Sequence, residues 1–277
     1  MKAISILNLK GGVGKTVTAV NMAHILAADH KQRVLLVDCD SQCNATEFFG
    51  VRPGMDTATL ADILGGNFYA SCDVTALVSV TDYPGVDVIP GSDELMDMDM
   101  SQIANKRING RVLADLCCAI AEDDAYDSVI FDCPPAFNAA SAAALLASDE
   151  VIIPIKLDAF SIRGLANVSR QIDNMQRINP KIRVAGALIT MWRNVPVVLE
   201  AERSLRDCSL LPVFQTAIRR TDKVDEMTFE RKPIAIYSPR SAAGYDYRNF
   251  VQEYLEPQTT MTELLREGLE GGLQSAV

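Results

Sequence analysis

The chain has 277 residues, 48% of them hydrophobic, with a formal net charge of −10 and a pI near 4.8. That is enough apolar material for one large core, and so acidic a balance argues against nucleic acid as a ligand unless the basic side chains cluster on one face. No run approaches the ~18 uninterrupted apolar residues of a membrane span, and the start MKAISIL has no secretory pattern, so a cytoplasmic protein is expected.

Ile4, Ile6 and Leu7 read as a strand that ends in Gly11, Gly12, Val13, Gly14, Lys15 and Thr16, with an amphipathic helix predicted over 17–26. Strand, glycine loop and helix form a phosphate cradle. Glycines let the backbone approach a polyphosphate, a helix N-terminus supplies free N–H groups, Lys15 adds a point charge, and Thr16 offers a hydroxyl to Mg2+. The pattern GxxxxGK[ST] is met except at Leu9, which stands where the first glycine belongs. Lys10 before the double glycine gives KGGVGKT, which resembles the deviant Walker A signature of the ParA/MinD superfamily of ATPases. The resemblance implies ATP and Mg2+ as cofactors. It also implies that Lys10 reaches across a face-to-face homodimer, formed in the ATP state, to the partner's phosphates.

The next strand, within RVLLVDCDSQCNAT, has an unbroken apolar run over 34–37, as expected of a strand covered on both faces, and ends in Asp38 and Asp40. Carboxylates at that edge of a parallel sheet face the ligand crevice, or else belong to a polar turn capping the next helix. The segment is similar to the family's DxDPQGNAT, with Ser41 and Cys43 in place of proline and glycine. By that likeness Asp40 orients the attacking water and Asp38 sits near Mg2+. Cysteine at a glycine position leaves the turn conformation open. Further on come a turn and short helix within 50–66, a strand at 86–91, a loop-to-helix linker at 93–100 and a helix over 106–124.

SVIFDCPPAFN is an apolar strand ending in Asp132, the Walker B arrangement for holding Mg2+ opposite Thr16, and DCPP is the ParA-type form. Ala139–Ala147 predicts a helix of small residues suited to close packing, a second subunit being one possible neighbour. The segment 149–165 predicts a buried strand broken by Pro154 and a helix from about Ser161. It resembles the family's ADEVLIPV stretch, which puts Asp158 at an acidic position near the dimer interface. After a strand at 184–190, Met191 and Trp192 fall where the family's sheet reaches the base-binding region, and Arg193 lies two residues from the position of a DNA-contacting arginine.

Residues 216–250 resemble the family's C-terminal region, with Arg219 replacing a proline, Arg220 matching an arginine and Lys223 a second basic position. Residues 163–248 hold 15 Lys and Arg against 9 Asp and Glu, whereas the rest holds 11 against 27, so the positive charge is concentrated here. Arg193, Arg219, Arg220 and Lys223 are therefore the DNA-contact candidates. The expected nucleotide site comprises Lys10, Gly11, Gly12, Val13, Gly14, Lys15, Thr16, Val17, Met191 and Arg219. Lys10, Lys15 and Asp40 have the catalytic roles, and Thr16, Asp38 and Asp132 hold the metal. Residues 256–277 predict a helical tail with an acidic polar face, which suits docking on the protein's own body better than a membrane surface. Nine residues precede Lys10, so no N-terminal DNA-reading domain is expected. Seven cysteines without CxxC spacing read as reduced thiols, and with His24 and His30 they form no ligand cluster.

Together these features predict one doubly wound α/β domain over 1–277, with a mainly parallel sheet flanked by helices in the manner of P-loop NTPases. The function the resemblance implies is a Mg2+-dependent partition ATPase of slow intrinsic turnover. It would be nucleoid-associated, bind non-specific double-stranded DNA as an ATP dimer, and be stimulated by a ParB-like centromere-binding protein. The alternatives are a cargo- or division-site-positioning ATPase of the same superfamily, or an ATP-dependent metabolic ligase on the same fold.

Overall fold

The computed structural model describes residues 1–52, 57–66, 77–158, 161–208 and 210–256. Within them eight strands form one sheet in the order β3-β4-β2-β5-β1-β6-β7-β8. They are β1 (Lys2–Ile6), β2 (Val34–Asp38), β3 (Ser79–Val80), β4 (Val86–Ile89), β5 (Ser128–Asp132), β6 (Glu150–Lys156), β7 (Arg183–Trp192) and β8 (Val213–Arg219). Only the short edge strand β3 runs antiparallel to its neighbour, so the expected mainly parallel α/β architecture is present.

Side-chain alternation along the central strands explains the two covered faces. Ala3 and Leu7, Leu35 and Val37, and Val129 and Phe131 point into one apolar cluster. Ile4 and Ile6, Val34 and Leu36, and Ile130 point into the other. The first cluster lies under α3 (Leu60–Leu64), α5 (Val112–Glu122), α6 (Ala139–Ala147) and α7 (Ser161–Gln176). The second lies under α1 (Lys15–Ala28), α2 (Asn44–Phe48), α10 (Ile234–Tyr237) and α11 (Ala242–Leu255). Strands buried on both faces need apolar residues at every position rather than at alternate ones, which is the pattern of 34–37.

Several boundaries differ from expectation. Helix α1 starts at Lys15, not at 17, so the lysine and threonine lie in its first turn. The helix expected over 106–124 is confined to Val112–Glu122, because Lys106 takes a positive φ and the chain turns there. Residues Asp93–Asp97 form a 3-10 turn before the short helix α4 (Met100–Ala104). Pro154 does not break its strand. β1 pairs with β6 only as far as Ile6 and Ile152, so the ladder on that side has ended where proline lacks an N–H. The Pro154 carbonyl, on the same side, accepts from the Asn8 amide at 2.8 Å. The run Ala139 to Leu145 is buried inside this chain's own core and does not offer its small residues to a second subunit.

Six cysteines are free thiols among the described residues; Cys72 and the tail over 257–277 lie outside them. No described helix is long and apolar enough to cross a membrane.

Candidate nucleotide site

The C-terminal ends of β2, β5 and β1 lie side by side, with Asp38 in register with Asp132 and Asp132 in register with Ile6. Open parallel sheets bind ligands at this edge. The chain leaves β1 into the glycine loop, where Gly12 has φ 69° and Gly14 has φ 86°. Both angles lie in the left-handed region that glycine alone adopts without cost. Gly14 caps α1 with no side chain bonded to the first-turn N–H groups, and no acidic residue occupies that turn. The end of the 14-residue helix therefore presents free donors and a positive dipole. Two buried anchors hold the loop. The Asn8 side chain accepts from the Lys10 N–H at 2.9 Å, and the Thr190 hydroxyl at the end of β7 donates to the Val13 carbonyl at 2.8 Å.

Lys15 is 7% exposed, and its ammonium donates to the Lys10 carbonyl at 3.1 Å. Burial pushes its pKa down, while Asp132 and Asp40 hold it up. Asp132 is fully buried, and neither carboxylate oxygen has a hydrogen-bond partner among the described residues. Desolvation, with Asp38 adding like charge, lifts its pKa well above the usual carboxylate range against the pull of Thr16 and Lys15. Such a group calls for a cation. Asp38 is also buried, but its oxygens accept from the Thr46 N–H at 2.8 Å, the Thr46 hydroxyl at 2.7 Å and the Asp40 N–H at 3.2 Å. Burial still raises it to about 6. Asp40 accepts from the Gln42 N–H at 3.0 Å.

These residues fit Mg2+. No group of three or more His, Cys, Asp or Glu side chains among the described residues has metal-binding geometry. A cation here would rest on Asp132, the Thr16 hydroxyl and phosphate oxygens, the sparse protein shell that Mg2+ favours. Asp38, expected near the metal, has its oxygens bonded to the Asp40 N–H and to Thr46 of α2. Cys43 takes the left-handed angles φ 53° and ψ 31° at the start of α2, so the cysteine adopts the glycine-like turn.

Beside the loop lies a cavity of about 240 Å3 whose lining includes Gly14, Val17, Met191 and Arg219, four of the expected nucleotide residues. Thr190, Arg220, Val224 and Tyr247 also line it. Thr190 and Arg220 lie at the ends of β7 and β8, whereas Val224 and Tyr247 reach the cavity only through the docking of α9 (Asp222–Glu230) and α11 against the end of β8, which local sequence does not record. Trp192 turns away, its indole N–H donating to Glu202 at 2.7 Å. Arg193 and Arg220 are exposed at the ends of neighbouring strands, where the Arg220 N–H donates to the Trp192 carbonyl at 2.9 Å. Lys223 pairs with Glu226 at 2.6 Å. Arg219 is bound to Asp246, so of the four expected DNA contacts it is the one whose charge a buried carboxylate already neutralises. Lys10 forms an ion pair with Asp158 of its own chain.

A family model described as an AAA domain matches residues 1–184. The chain is 30% identical to the chromosome partitioning protein ParA of Caulobacter vibrioides over 92% of its own length and 94% of that protein. It is also 33% identical to the sporulation initiation inhibitor protein Soj of Bacillus subtilis, over 91% and 97% respectively. The chain belongs to the ParA/MinD family of P-loop ATPases. Its fold is also that of cobyrinic acid a,c-diamide synthase from Mycobacterium smegmatis with bound ADP and magnesium, at a TM-score of 0.73 and 26% identity over 91% of this chain and 93% of that one. Within the ParA/MinD family, then, this member keeps the signature lysine pair and the strand-end aspartates. It departs from the pattern that the resemblance gives at Ser41, Cys43 and Arg219.

Proposed function

We propose that the chain is a partition ATPase that dimerises on ATP, binds double-stranded DNA without sequence preference, and releases it on hydrolysis. The observation that carries the nucleotide half is the orphaned Asp132 carboxylate, buried beside Lys15 and Thr16 at the mouth of an uncapped helix. Lys15 and the loop amides hold the β- and γ-phosphates. Thr16 and Asp132 hold Mg2+, which when bound neutralises charge on the phosphate oxygens. Asp40 orients the water that attacks the γ-phosphorus as the bond to the bridging oxygen breaks and ADP leaves.

Lys10 takes part only after leaving Asp158. ATP therefore favours a dimer in which each Lys10 exchanges its own Asp158 for the partner's phosphates. Support for the DNA half comes from the basic excess over 163–248 and from Arg193, Arg220 and Lys223 at one edge of the sheet. Dimerisation doubles that patch, and avidity turns weak phosphate contacts into binding. The DNA-bound ATP dimer would be the nucleoid-associated form, and a ParB-like partner would accelerate turnover and with it release.

The experiment is sedimentation and duplex-DNA binding with ADP, with ATP, and with ATP plus Asp40→Ala, at two salt concentrations. Dimers and salt-sensitive DNA binding in ATP alone, trapped by Asp40→Ala, are expected. An ATP dimer that ignores DNA at low salt would overturn the partition reading in favour of a protein or metabolite cargo.

A further inference from the structure

We propose that Asp246 fixes the Arg219 guanidinium as a flat platform on which a purine base stacks, making the Arg219–Asp246 pair the base-selecting element of this site. The proposal rests on the nucleotide reading above and adds which residues of this chain hold the base and how.

Arg219 ends β8 and lines the cavity that also contains Gly14, the last residue of the phosphate loop. A base in that cavity is joined to phosphates at the start of α1. The guanidinium is held along its Nε–Nη2 edge, and the Arg219 backbone is tied to the same carboxylate. Nε donates to both Asp246 oxygens at 2.9 and 3.1 Å, Nη2 donates to Asp246 Oδ1 at 2.7 Å and to the Ala242 carbonyl at 3.4 Å, and the Arg219 N–H donates to Asp246 Oδ2 at 2.9 Å. Asp246 is itself buried in α11, with its side chain 8% exposed, whereas the Arg219 side chain is 48% exposed. The acid is thus the fixed half of the pair, and the planar cation is the half presented outward.

Two consequences follow from the chemistry. Because the charge of Arg219 is neutralised at close range, it is a poor phosphate ligand, and what it offers is its face. Guanidinium planes stack on aromatic rings, and a guanidinium already locked in place loses little further freedom when a ring arrives. The cavity also contains Val17, Met191 and Val224, apolar groups suited to the other side of a flat ring. A two-ring purine covers more of both surfaces than a pyrimidine does. A chain lacking the carboxylate would keep the arginine but not its orientation, so Asp246 is a positioning residue.

The test is competition against a fluorescent ribose-labelled ATP on the full chain with Mg2+, using ATP, GTP, CTP, UTP and inorganic tripolyphosphate as competitors. Arg219→Ala and Asp246→Asn are each expected to weaken the purine nucleotides roughly 5- to 30-fold, the range for loss of a stacked cation. Pyrimidine nucleotides and tripolyphosphate should stay within about twofold, since their contacts lie at the phosphate loop. Asp246→Glu, which retains the acid, should recover most of the purine preference. Unchanged purine preference in both variants, or an equal loss for tripolyphosphate, overturns the proposal while leaving nucleotide binding intact. A wild-type chain that binds neither ATP nor tripolyphosphate overturns the nucleotide reading and this inference with it.

Discussion

Asp132 is costly to the nucleotide-free chain, because a carboxylate with no donor on either oxygen is buried next to Asp38. Asp132→Asn should raise the melting temperature of the nucleotide-free protein by about 2–5 °C, the scale of relieving one unfavourable buried group. The same variant should lose the further rise that Mg-ATP gives the wild type; calorimetry with and without Mg-ATP checks both signs. His24 has a different cost. It lies buried against Tyr83, ring centroids 5.6 Å apart and edge-on, with Nδ1 unpartnered among the described residues, and burial lowers its pKa against the pull of Asp29 and with the help of Arg248. The folded state then binds fewer protons than the unfolded one below about pH 6.5, so His24 withdraws stability as pH falls, by at most about 1.4 kcal/mol per pH unit. His24→Phe should flatten that slope in urea melts between pH 7.5 and 5.5. The placement of Lys15, Thr16 and Asp132 at one sheet edge is legible in the sequence because it depends on residue type at a strand end or loop. The Asp38 bonds are not, since Thr46 and its link to the Gly91 N–H at 3.0 Å appear only when α2 folds back onto β2.

At the scale of elements, the turn into α2 carries backbone strain, because Cys43 holds the left-handed φ of 53° that glycine adopts without cost. Cys43→Gly should stabilise the chain by about 1 kcal/mol, since a β-carbon in the left-handed region costs that much. The corresponding rise in melting temperature is about 2–4 °C. An unchanged or lower value would mean that the thiol, within 3.5 Å of the Ser41 carbonyl, offsets the strain. Central strands were legible as unbroken apolar runs, and Asp132 at the end of one was read in its correct place. Pro154 is tolerated inside β6, contrary to expectation, because tolerance depends on where the neighbouring strand stops, which no local pattern encodes. The helix expected over 106–124 starts only at Val112, because the chain turns at Lys106 and again where the Val112 N–H donates to the Asn109 carbonyl, and apolar spacing from Ile108 onward does not register those turns.

Across the whole molecule, the nucleotide edge and the opposite edge of the sheet have separate jobs. At the far edge, buried Glu150 accepts from Lys2 at 3.3 Å and from the Tyr254 hydroxyl at 2.5 Å, and pairs with Arg183. It ties β1, β7 and α11 together at the base of the sheet. Glu150→Gln should lower the melting temperature by about 3–6 °C, as expected when a buried carboxylate among charged partners is neutralised. ATP affinity should stay within about twofold, because no phosphate contact lies there; a large loss of affinity would show that the two edges are coupled. Sequence alone determined the α/β class, the phosphate loop and the strand-end aspartates, because each depends on residues adjacent in the chain and on the period of a strand or helix. Tertiary structure decided the rest. Lys10 meets Asp158, 148 residues away, and Arg219 meets Asp246, 27 residues away. Pairings over such separations are set by how β6 and α11 pack around the glycine loop and the end of β8, and local spacing contains no record of that packing.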